Sequence, residues 1–187
     1  MPIITFCNKM DRESRDLIEI IDEIQEKLAI DVTPLSWPIG SGSNFRGLYH
    51  LLQDRYEIFS DLRFHHTAPR IKISGLNNDQ VLEYVNPDLI QKSREEIELI
   101  RGLSRKFEEK YFLEGSLSPI FFGSALHSSG VDHLMNGICH FAPSPGNFST
   151  STRIIKPTES TVSGFVFKIQ ANTDTRHRDR VAFLRIS

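Results

Sequence analysis

The sequence predicts an α/β fold: part of a parallel sheet, interrupted by a smaller α+β insert and followed by the first strands of a separate β unit. Three observations lead there. Ile3-Ile4-Thr5-Phe6-Cys7 and Pro119-Ile120-Phe121-Phe122-Gly123 are short runs without polar alternation, the pattern of parallel strands covered on both faces. Each opens onto a short loop, Asn8-Lys9-Met10-Asp11 and Ser124-Ala125-Leu126, where open α/β sheets present groups to a ligand. Between them, from about residue 41 to 117, the chain reads as short strands and helices of an inserted, smaller sheet.

The elements follow in order. Ser14 is placed to cap a helix running to about Ala29, with Leu17, Ile21, Ile24 and Leu28 as its apolar stripe. Leu35 to Gly40 reads as a short extended segment, which Pro34 and Pro38 confine to an edge or rim. Trp37 within it is either an exposed contact or, the favoured reading, a plug packing the insert against the sheet. Phe45–Tyr49, Glu57–Phe59 and Arg70–Ser74 are the insert's strands, and Asn86-Pro87-Asp88 starts a helix or helix pair. Ile97, Ile100, Leu103, Phe107 and Tyr111 line one side of that pair. Val131, Leu134, Met135 and Ile138 are expected to form the buried face of a helix after the second apolar run. Pro143, Pro145, Gly146 and the polar run to Thr152 mark a linker. Beyond it, Gly164–Gln170 and Arg180–Ile186 are strands too few to close a barrel or sandwich. The first strand begins at residue 3 and the last unit stops early, so much of both folds is expected to lie outside this chain.

Composition narrows the class. The chain has 187 residues, 39% hydrophobic and 25% charged, ordinary values for a folded soluble protein. A formal net charge of -2 removes bulk basicity as an argument for nucleic-acid binding, though a local patch remains open. Cys7 and Cys139 do not read as a disulfide pair, and no apolar run approaches membrane-spanning length. A reduced, cytoplasmic setting is the expectation.

The two loops suit one task. An ionised Asp11 accepts two parallel hydrogen bonds, and guanine offers N1-H and its 2-amino group side by side, whereas adenine does not. Asn8 can donate to N7 and brace the neighbouring loop, while Lys9 can lay its aliphatic stem along the base. Small residues at Gly123-Ser124-Ala125 let backbone amides approach O6, and Ser124 can hold the Asp11 rotamer. The phosphate end is absent: the sequence contains no GxxxxGK(S/T) loop and no strand-end acidic motif placed for Mg²⁺.

Other clusters read as structure. His65-His66, His133 and Cys139-His140 are expected on packed or solvated faces, because adjacent residues point apart and rarely share an ion. Ser128, His127 and Asp132 lack a nucleophile-bearing elbow. Glu95, Glu96 and Glu98 read as a solvated helix face. Arg176, Arg178 and Arg180 form a basic hairpin tip that either meets RNA phosphates or pairs with Asp174 and Asp179.

Taken together these segments resemble the peptide chain release factor 3 family of bacterial translational GTPases. Asn8-Lys9-Met10-Asp11 is similar to the fourth guanine-nucleotide motif and Gly123-Ser124-Ala125-Leu126 to the fifth. Trp37 before Pro-Ile-Gly40, and Gly75-Leu-Asn-Asn78, favour release factor 3 over elongation factor G. Gly164 to Asn172, continued by His177 to Phe183, matches best and resembles the opening of the β-barrel domain behind the G domain.

The resemblance implies a partial P-loop GTPase domain over residues 1–150, with an inserted subdomain at about 41–117, then a linker and opening barrel strands over 151–187. It implies GTP and GDP as ligands, with Mg²⁺ held through residues absent here, and base recognition by Asn8, Lys9, Asp11, Ser124 and Ala125. It further implies action on the ribosome, with ribosomal RNA as a contact, to recycle codon-reading release factors. The chain alone is expected to be inactive and to bind GTP weakly or not at all, and its incomplete sheet to favour non-native self-association. An elongation-factor-like or ribosomal-protection GTPase is one rival, and a non-catalytic ribosome-binding module another.

Overall fold

The computed structural model describes residues 1–60, 69–171 and 180–186, in two units, Met1–Ala142 and Pro143–Ser187. The first unit runs β1 (Thr5–Cys7), α1 (Leu17–Leu28), β2 (Asp31–Pro34), β3 (Ser36–Ile39), β4 (Gly47–His50), β5 (Arg55–Phe59) and β6 (Arg70–Ser74). It continues through α2 (Pro87–Leu103), α3 (Glu109–Glu114), β7 (Leu117–Phe122) and α4 (Val131–Phe141).

The two apolar runs pair with each other. β7 is the centre of a three-stranded parallel sheet, order β1-β7-β2, and every residue of β7 is buried. β1 is only half-buried, because it forms one edge of that sheet and has no second partner strand among the described residues. The register sets Thr5 opposite Ile120 and Cys7 opposite Phe122, so both strands end side by side. That alignment brings the two loops together.

The insert is a four-stranded antiparallel sheet, order β3-β4-β5-β6. β3 continues from β2 after one residue, so a single stretch of chain belongs first to the parallel sheet and then to the insert. Its position at the sheet edge accommodates Pro38, which lacks a ladder donor. Trp37 is 1% exposed, packs edge-on to Phe122 of β7 with ring centroids 5.2 Å apart, and donates from Nε1 to Glu96 at 2.9 Å. It is the plug. Glu96 therefore faces the protein, unlike the solvated residue expected.

Helix starts follow side-chain chemistry. Asn86 caps α2 by accepting from the Asp88 amide at 2.8 Å, with Pro87 in the first turn. α1 is capped by Asp16, not Ser14: the Asp16 carboxylate accepts from the amides of Ile18 and Glu19. Of its stripe, Ile21 is buried, Leu17 and Ile24 pack at the margin, and Leu28 is half exposed. Leu103 is likewise exposed, because α2 ends there and a loop carries the chain to α3.

α4 departs furthest from expectation. Its buried face is His133, Gly137 and Phe141, while Met135 is 52% exposed and Ile138 38% exposed. Gly137 decides the rotation. It lies against the Phe121 ring, where a Cβ would come within 2.5 Å of Cζ, so the helix approaches β7 along its one residue without a side chain.

The second unit contains β8 (Phe148–Ser149) paired with β9 (Ile154–Ile155), and β10 (Gly164–Ala171) paired antiparallel with β11 (Arg180–Ile186). Phe167, Ile169 and Leu184 are exposed on the hairpin. A two-stranded ribbon has too little sheet to bury them.

Candidate functional site

The NKMD loop and the loop after β7 are knitted together. Asn8 Oδ1 accepts from the Ala125 amide at 2.9 Å and from the Lys9 amide at 2.8 Å. The Met10 amide donates to the Gly123 carbonyl at 3.0 Å, and the Gly123 amide donates back to the Cys7 carbonyl at 3.0 Å. Lys9 adopts φ 71, the left-handed region, which turns the loop sharply at the strand end. The insert also braces this loop: the Gly42 amide donates to the Met10 carbonyl at 2.9 Å and the Arg12 carbonyl at 3.0 Å.

Asp11 is half-buried, and its Oδ1 is shielded from solvent without a hydrogen-bond partner among the described residues. Ser124, through its hydroxyl, is the main influence holding the Asp11 carboxyl below the usual carboxylate range; His127 and Arg12 add to this and burial opposes it. An ionised carboxylate with one sheltered oxygen that has no partner among the described residues is a strong hydrogen-bond acceptor.

Ser124 itself is fully buried, behind the rim, where its amide and carbonyl exchange hydrogen bonds with Ser129 at 2.9 Å each. Ala125, Lys9 and Asn8 are exposed. The Ala125 amide already serves Asn8, so an approaching O6 would share or replace that bond. Leu126, the next residue of the loop, is 78% exposed. A cavity of about 510 Å³, walled partly by Leu35, Phe121, His133 and Phe141, lies elsewhere and is not lined by these loop residues.

Of the basic tip, Arg176 and Arg178 lie outside the described residues, as do His65 and His66; Arg180 is exposed at the start of β11. Cys7 and Cys139 are free thiols, and burial raises the Cys7 pKa.

One buried cluster escaped the sequence reading. Glu57 on β5 is 3% exposed and His133 on α4 is 5% exposed, with His133 Nε2 2.8 Å from Glu57 Oε2. Arg55 donates to Glu57 Oε1 at 2.6 Å, while Arg70 reaches Glu57 Oε2 at 3.2 Å and Asp132 Oδ2 at 2.5 Å. Burial alone would raise the Glu57 pKa, yet His133, Arg55 and Arg70 outweigh it and hold the carboxyl far below its ordinary value. The available signal was a single acid between Tyr56 and Ile58 in a strand whose other charged residue is Arg55. Glu57, Asp132 and His133 bring three potential ligand atoms within 4.8 Å of one another, but the Arg70 guanidinium bonds both carboxylates and serves as their cation. These residues do not fit the Mg²⁺ of a nucleotide site.

The family model for the elongation factor Tu GTP binding domain matches residues 1–144. The mixed α/β unit with its paired strand-end loops accords with that class, the translation-factor GTPases. The chain belongs to the elongation factor Tu GTP binding domain family. Members of that family bind GTP and GDP, typically with Mg²⁺, and the complete proteins are GTPases. Among the described residues, no helix is long and apolar enough to cross a membrane.

Proposed function

We propose that Asn8, Lys9, Asp11, Ser124 and Ala125 form the guanine-reading end of a ribosome-dependent GTPase that recycles codon-reading release factors in the cytoplasm. One observation carries the base-recognition part: the unpaired, sheltered Asp11 Oδ1 beside the Asn8–Ala125 bond. Asp11 takes the guanine N1-H and 2-amino donors, Ser124 fixes its rotamer from behind, and Asn8 locks the two loops at one spacing. Lys9, whose neighbour Asn8 orients its backbone, covers one face of the base. Losing a doubly bonded carboxylate contact costs about 2–5 kcal/mol, enough to separate guanine from adenine.

In this reading residues 1–150 are the C-terminal half of the GTP-binding domain, with the insert at about 41–117, and 151–187 open a β-barrel domain. Phosphate gripping and water attack on the γ-phosphate are left to residues outside this chain, so the 187 residues alone neither hydrolyse GTP nor bind it tightly. Arg180 and its basic neighbours meet ribosomal RNA. The release-factor assignment rests on Trp37 before Pro38-Ile39-Gly40 and on the Gly164–Phe183 block. The family match itself accommodates an elongation-factor-like GTPase equally well.

In a protein carrying the whole GTP-binding domain, Asp11→Asn is expected to move preference from guanine to xanthine nucleotides. Retained guanine selectivity refutes the assignment. Stimulated release-factor recycling by the same protein separates the termination role from its elongation-factor rival.

A further inference from the structure

The insert grips both base-reading loops, and at the second loop it does so through buried charge. The loop after β7 closes on itself through the Ser124–Ser129 pair and passes through Gly130, at φ 76, into α4. Space there is fully used: a Cβ on Gly130 would meet the Phe122 carbonyl oxygen at 2.4 Å and Leu48 Cδ1 of β4 at 2.9 Å. The second and third residues of α4 are Asp132 and His133, the two held by Arg70 and Glu57 of the insert sheet. The position of the loop therefore depends on where β5 and β6 hold the first turn of α4.

We propose that Glu57 is a positioning residue for the base-reading loop, setting the placement of Ser124 and Ala125 through His133 and, with Arg70, through Asp132. This rests on the guanine reading of the two loops. Stability is a poor explanation for such a cluster, since desolvating a carboxylate and two guanidinium groups offsets much of their attraction. The network is also incompletely satisfied, with His133 Nδ1 and Arg55 Nε buried without partners among the described residues. Its distinctive product is geometric: bonds of fixed length that hold α4 at one offset from β5. Gly137, further along the same helix, sets how closely α4 approaches Phe121 of β7.

The test uses two substitutions with different risks to folding. Glu57→Gln keeps shape and an acceptor for His133 but removes the charge. Asp132→Asn loosens only the half-exposed end of the network. In the 187-residue chain, both are expected to speed amide exchange at Ala125, Ser128 and Ser129 about tenfold relative to the β4 and β5 amides. The Trp37 fluorescence midpoint in urea identifies any variant that has merely lost global stability. In a protein with the whole GTP-binding domain, the same substitutions are expected to raise the GDP dissociation rate by a similar factor. Ile97→Val, a core change on α2, serves as the stability control and leaves that rate unchanged.

Loop exchange equal to wild type in a folded Asp132→Asn or Glu57→Gln variant overturns the positioning role. Faster loop exchange with unchanged GDP release overturns its link to the nucleotide. In the wild-type protein with the whole GTP-binding domain, Ala125 exchange left unaltered by GDP refutes the guanine reading instead, while the exchange result in the variants still reports on the positioning of the loop.

Discussion

Asn8→Ala probes the joint between the two loops directly. Asn8 Oδ1 is the common acceptor for two amides, Ala125 at 2.9 Å and Lys9 at 2.8 Å, and the side chain is exposed, so truncation removes bonds without removing buried surface. Water can replace part of each interaction at an exposed site, which places each bond near the lower end of the usual range, about 0.5–1 kcal/mol. The expected global loss is therefore about 1–2 kcal/mol. Locally, losing about 1 kcal/mol of protection should accelerate Ala125 amide exchange about fivefold.

Asn8→Asp is the discriminating partner. A carboxylate still accepts from both amides but has no Nδ2 donor, so Ala125 should remain protected while any contact to N7 of a base is lost. Urea unfolding is read from Trp37, the one tryptophan in the chain and a buried one, and exchange from amide NMR. If the Ala and Asp variants show the same Ala125 exchange rate, Asn8 does not hold the loops together through its acceptor.

Two further outcomes test the packing and the buried charges. Gly137→Ala should gain about 1 kcal/mol in helix propensity, yet its Cβ would lie 2.5 Å from Cζ of the buried Phe121. Overpacking of about 1–3 kcal/mol should win, lowering the melting temperature, whereas a stabilised variant would show that α4 can back away from β7. Acid should destabilise the protein in two stages. Burial, with His133 and Arg55 nearby, pushes the His50 pKa down to about 4 from its ordinary 6.5. The unfolded chain thus protonates His50 first, and this contribution, complete above pH 6.5, fades as pH falls towards 4. Glu57 acts in the same direction lower down: its stabilisation is present above the ordinary carboxylate value of 4.5 and is lost as pH falls below that towards its depressed folded value. A urea midpoint unchanged between pH 7.5 and pH 5 would contradict the His50 part.

Much of the architecture was legible because its signals are local. Two apolar runs without alternation became β1 and β7, Asn86-Pro87 started α2, and the strands of the insert fell within a few residues of their expected places. The helix cap at Asp16 was missed because Ser14 and Asp16 are both capable caps, and the choice depends on where the chain leaves the NKMD loop. The buried face of α4 was misread for a related reason. Periodicity favoured Met135 and Ile138 as large apolar residues, but a helix lying over the Phe121 ring needs its smallest residue at the contact.

The same division holds at the candidate site. Sequence alone supplied the chemistry: an amide, a lysine and a carboxylate after one strand, and small residues after another. Tertiary structure decided how they meet, through a parallel register that no local pattern encodes, and it turned Ser124 inward, paired with Ser129, rather than outward to the solvent. It also created the Glu57–His133 pair, 76 positions apart in the chain, whose charges are tolerable only because folding brings them together. Residue types and their short-range order determine what bonds are possible; the packing of distant segments determines which of those bonds form.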